Sequence, residues 1–81
     1  MTDFLTVIRD AMNPHDSITI KVPEKEEAAS IERRAREIME RYDVVTWGWE
    51  VAATTVAFRA YEPHRYTARG RLKEAGLELK E

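Results

Sequence analysis

Ser17-Ile18-Thr19-Ile20-Lys21-Val22-Pro23 is the stretch on which the architecture turns. Ile18, Ile20 and Val22 alternate with Thr19 and Lys21, so one face is β-branched and apolar and the other polar. That period of two is the pattern of a half-buried strand. Pro23 ends it, and the period changes. Ala28, Ile31, Ala35, Ile38 and Tyr42 fall three or four apart, with Met39 widening the stripe, which predicts a long amphipathic helix over 24–42. Glu24, Glu26 and Glu27 would occupy its first turn, where the helix dipole favours acids. Glu32 with Arg36 and Glu37 with Arg41 would pair on its outer face, each acid four residues ahead of its base.

Working outward, Val44 to Glu62 reads as a β-hairpin. Strict alternation puts Val45, Trp47, Trp49 and Val51 on one face of the first arm. In the second arm it puts Val56, Phe58 and Ala60 on one face and Ala57, Arg59 and Tyr61 on the other. Ala52 to Thr55 would supply the turn, and Glu62-Pro63 would close the hairpin. Thr67 is a candidate cap for a short helix through Ala68, Leu72 and Ala75 that stops at Gly76, and Leu77-Glu78-Leu79 alternates as a short edge strand. Upstream, Phe4, Leu5, Ile8, Ala11 and Met12 share a helical face over 3–13, and Asn13-Pro14 ends it.

This order predicts an α+β fold: a ferredoxin-like βαββαβ antiparallel sheet over 17–81 with an additional N-terminal helix over 3–13, all within one domain, 1–81. Ile18, Ile20, Val22, Ile31, Ala35, Ile38, Val56 and Phe58 would form its core. Length agrees with a single unit. Eighty-one residues with 43% apolar side chains, ten of them alanine, can build one thin core. A domain of this size buries only about 60–65% of its unfolded surface, which leaves little room for an internal cofactor cavity.

Several chemistries are excluded or thinly supported. Without cysteine there is no disulfide framework, thiolate nucleophile or zinc ribbon. Ser17 and Ser30 sit in a strand and a helix, not on a strained nucleophile turn. His15 and His64 lie beside prolines and read as exposed polar residues, too few for a metal site. The three glycines stand apart at 48, 70 and 76, so no glycine-rich phosphate cradle forms. Phe4 to Ile8 is too short for a secretory core or a membrane span, so a cytoplasmic protein is expected.

Val56-Ala57-Phe58-Arg59-Ala60-Tyr61, with Ala68 and Ala75-Gly76-Leu77, resembles the Phe-Arg segment of acylphosphatases, which are also small and ferredoxin-like. The glycine-rich loop and nearby asparagine with which that family's arginine works have no counterpart here, so the reading remains non-enzymatic, without catalytic residue, metal or cofactor. The element order is similar to that of the RRM family. Of the stacking aromatics on that family's central strands this chain offers Tyr61, with Thr19 and Lys21 on the neighbouring strand.

Charge is the remaining clue. Fifteen acids against thirteen bases give −2, which argues against a generic basic coat for nucleic acid. The charge is unevenly placed: residues 1–32 hold seven acids and three bases, whereas 59–73 hold five bases and one acid. In the second segment Arg59, Arg65, Arg69 and Arg71 are interleaved with Tyr61 and Tyr66, the composition enriched at binding hot spots. These six residues are the predicted partner-binding surface. The expected function is a small macromolecule-binding module, foremost a protein–protein adaptor or inhibitor of the kind viruses direct at host machinery, read as a stand-alone chain from Met1. Its partner would be a protein with an acidic patch. A single-stranded nucleic acid is the alternative, and weak head-to-tail self-association through the opposed charge segments is a further expectation.

Overall fold

Residues 17–80 are described by a computed structural model. Strand β1 spans Ser17–Lys21, helix α1 Ala28–Arg41, β2 Thr46–Val51, β3 Thr55–Ala60, α2 Glu62–Glu74 and β4 Leu79–Lys80. The strands form one antiparallel sheet in the order β2-β3-β1-β4. This corrects the expected class of a ferredoxin-like unit with an additional N-terminal helix. The first of the two described helices comes after β1, because helical periodicity starts only once the Ile18/Ile20 alternation has ended. The helix expected over 3–13 lies outside the described residues.

β1 and β3 are the central pair, with Ile18 opposite Phe58 and Ile20 opposite Val56. All four side chains are fully buried, and so are Ile31 and Ala35 of α1 and Ala68 and Leu72 of α2. Both described helices therefore cover the same sheet face. Fully burying an aliphatic or aromatic side chain is worth about 1.5–3 kcal/mol, so this single layer of contacts accounts for most of the driving force. Two expected core residues are only partly buried. Val22 lies just past the end of β1, and Ile38 flanks a stripe centred on Ile31, Ala35 and Met39, spaced by four. Tyr42, expected on that stripe, caps the helix and is 40% exposed.

The helix boundaries differ from the sequence reading in opposite directions. α1 starts at Ala28 because the Glu26 N–H donates to the Pro23 carbonyl at 3.0 Å, closing a turn that keeps Glu24, Glu26 and Glu27 outside the helix. α2 starts at Glu62, five residues before the expected cap, with Pro63 in its first turn. There the missing N–H has no intrahelical partner to lose and the fixed φ already suits a helix, so Pro63, just past the end of the hairpin, also begins α2.

Both helices end alike. The Val44 N–H donates to the Met39 carbonyl at 2.9 Å and the Asp43 N–H to Glu40 at 3.2 Å; Leu77 N–H donates to Leu72 at 3.1 Å and Gly76 N–H to Lys73 at 3.0 Å. These are two Schellman closures, each folding an apolar residue, Val44 or Leu77, back onto the core. The reversal needs a left-handed residue, supplied by Gly76 at φ 86° and, less comfortably, by Asp43 at φ 57°. Arg34 of α1 then donates to the Ala75 carbonyl at 3.3 Å, tying the end of α2 to its neighbour.

Candidate functional site

The residues that shape the candidate site meet at an irregularity in β2. Trp47 pairs with Arg59 and Glu50 with Ala57, so Gly48 and Trp49 together stand opposite Phe58 alone. This is a β-bulge with a left-handed glycine, φ 64°, at its first position. One extra residue reverses the alternation, and the two tryptophans part company. Trp49 falls on the helix-covered face, stacked on Phe58 with ring centroids 4.4 Å apart and planes 16° from parallel. Its indole N–H donates to the Thr46 hydroxyl at 2.9 Å. The Arg36 guanidinium covers its outer side at 4.5 Å and is held in turn by Glu32 at 3.1 Å. Trp49 thus seals the rim of the core.

Trp47 falls on the other face. There its ring meets that of Tyr61 at 4.9 Å, tilted by 54°. The Arg59 side chain lies beside the bulge: a Cβ built on Gly48 would lie 3.5 Å from Arg59 Cδ, ordinary van der Waals contact. Register completes the face. Ser17 sits beside Arg59, Thr19 beside Ala57 and Lys80, and Lys21 beside Thr55. The side chains between the aromatic pair and the two lysines are therefore small, and no described helix lies over them. Lys21, Arg59 and Lys80 bring three positive charges; Glu50, opposite Ala57, and Glu78, beside Lys21, bring two negative charges. Lys21 also meets Glu78 at 3.3 Å, with both side chains half or more exposed. Such a pair contributes about 0–1 kcal/mol and yields readily to a competing anion.

The six residues predicted to form one surface are divided among three places. Arg59 and Tyr61 belong to the sheet face just described, and Tyr61 is 57% exposed. Arg65 follows Tyr61 by one helical turn, 22% exposed, with Glu62 at 3.9 Å. Tyr66, 89% exposed, lies with Arg69, Gly70, Arg71 and Lys73 along a groove on α2. Arg71 lies against α1, its guanidinium 4.4 Å from the Tyr42 ring and 3.0 Å from Glu74. Sequence reasoning missed Trp47 and Lys80 as companions of Tyr61. The available signal was Gly48, since a lone glycine inside a strand pattern marks a bulge.

Among the described residues no group of three histidine, cysteine, aspartate or glutamate side chains is placed to hold a metal ion, and no helix is long and apolar enough to cross a membrane. Comparison with family models, with curated proteins and with solved structures gives no match.

Proposed function

We propose that this chain is a small, non-enzymatic, cytoplasmic binding module that holds an anionic macromolecule on the sheet face around Trp47, Arg59 and Tyr61. The observation that carries the reading is the Trp47–Tyr61 contact on the face opposite the helices, beside an excess of cations. An exposed Tyr61 backed by a partly buried Trp47 on a rigid sheet offers contact area with few torsions to freeze, and arginine and lysine supply attraction for acidic groups. An acidic patch on a protein, in the manner of an adaptor or inhibitor, and a single-stranded nucleic acid share this chemistry. Arg65, Tyr66, Arg69 and Arg71 stand outside this contact surface.

The test is a titration of the isotope-labelled protein followed by amide and indole NMR shifts, with a poly-glutamate peptide and a single-stranded oligothymidylate as probes. Shifts should concentrate at Thr19, the Trp47 indole, Arg59, Tyr61 and Lys80, with Tyr66 and Arg69 unaffected. Changes confined to the groove on α2, or none with either probe, would end this reading.

A further inference from the structure

Resting on that reading, we infer that the occupant of the sheet face is a short stretch of single-stranded nucleic acid: a base lies against Tyr61 and Trp47, and the backbone runs diagonally to Lys21 and Lys80. The centre of the face decides between the two anionic partners. A protein hot spot is an apolar, fully desolvated anchor ringed by polar residues. Here the arrangement is reversed, with Ser17, Thr19, Thr55 and Ala57 in the middle, the aromatic pair at one corner and lysines at the other. Hydroxyls and small side chains form a shallow floor that can accept and donate hydrogen bonds to base edges. They offer almost nothing for a partner's apolar side chain to fill.

Dimensions agree with an extended strand of a few nucleotides. Tyr61, just past the end of β3, lies four residues from Ala57, and Lys80 lies two strands across from Ala57. At about 3.3 Å per residue and 4.8 Å per strand, the diagonal is about 16 Å. A duplex hides its base faces in its own stack, so it gives the aromatic corner nothing to hold. Stacking on a ring is tolerant of base identity and is worth about fivefold or more in affinity per base. With Lys21 and Lys80 as the phosphate contacts, the logarithm of affinity should fall with that of salt with a slope of about −1.4.

Fluorescein-labelled oligothymidylate decamers, single-stranded and annealed to their complement, together with a labelled poly-glutamate peptide, supply the measurement by anisotropy. The single strand should bind, the duplex should bind at least fivefold more weakly, and Tyr61→Ala should cost the single strand roughly fivefold or more. Tyr61→Phe should retain binding, and Lys21→Gln with Lys80→Gln should flatten the salt slope by about 1.4. Indole fluorescence gives a second readout that needs no loss of side-chain volume at Tyr61: quenching by the strand should persist in Trp49→Phe and vanish in Trp47→Phe, since only Trp47 shares the face. Poly-glutamate binding that depends on Tyr61, without binding of the strand, overturns the nucleic-acid assignment and leaves the binding face standing. Neither probe binding overturns both. Strand binding indifferent to Tyr61→Ala, or quenching that follows Trp49, overturns the assignment as well.

Discussion

The two faces of the sheet are made from the same strands and differ in almost every other respect. On one, Ile18, Ile20, Val56 and Phe58 are wholly removed from water beneath α1 and α2. On the other, their immediate neighbours Ser17, Thr19, Ala57 and Arg59 are each partly accessible, and Lys21 is exposed. The contrast teaches that the side chains of the core and those of the proposed binding face are separated by one residue of register. The helix-covered face carries the folding free energy, so the other is free to be small, hydroxylated and charged. A slip of one residue would exchange the two sets completely, which is why register here is strongly specified.

The largest effect that tests this division is Phe58→Ala. It removes the floor on which Trp49 stacks and should cost about 3–5 kcal/mol in urea denaturation. Its closest counterpart is a neighbouring pair on β1: Ile20→Ala should cost about 2–5 kcal/mol and Thr19→Ala under about 0.5 kcal/mol. Equal losses at the two positions would show that both faces bear on the core. Ile38→Ala, at a half-buried site, should lose less than Ile31→Ala, which falls in the full range of about 2–5 kcal/mol.

Smaller effects probe the devices that keep the faces apart. Gly48→Ala forces a Cβ into a left-handed conformation and should cost about 1–2 kcal/mol; it should also change the fluorescence of Trp47 more than that of Trp49, resolved in single-tryptophan variants. Gly70 lies within α2 with nothing within 4 Å of a Cβ built there, so Gly70→Ala should raise stability by about 1 kcal/mol. Asp43→Gly relieves the left-handed aspartate of the first Schellman closure and should add roughly 0.5–1 kcal/mol by the same denaturation assay. A loss at Asp43→Gly would mean that its side chain contributes more than its backbone geometry costs.

What the sequence by itself determined was local and periodic. Ile18 and Ile20 announce a strand, the spacing from Ile31 to Ala35 a helix, and Val56, Phe58 and Ala60 the second central strand, because each pattern matches the repeat of one element and needs nothing from elsewhere. The split between acidic and basic halves was legible too, but not how the tertiary structure distributes those side chains. Six residues close in sequence do not all share one surface: Arg59 and Tyr61 lie on the sheet, whereas Tyr66, Arg69 and Arg71 line a groove on α2. The two tryptophans show the limit most plainly. Alternation assigns Trp47 and Trp49 to one face, but the register against β3 inserts a bulge at Gly48 and sends them to opposite faces. Only tertiary structure could decide this. A bulge is a property of two paired strands, stabilised here when Trp49 settles between Phe58 and Arg36, partners from a neighbouring strand and from a helix 13 residues back in sequence. Its consequence, Trp47 meeting Tyr61 across a gap of 14 positions, is invisible to any pattern read along a single strand.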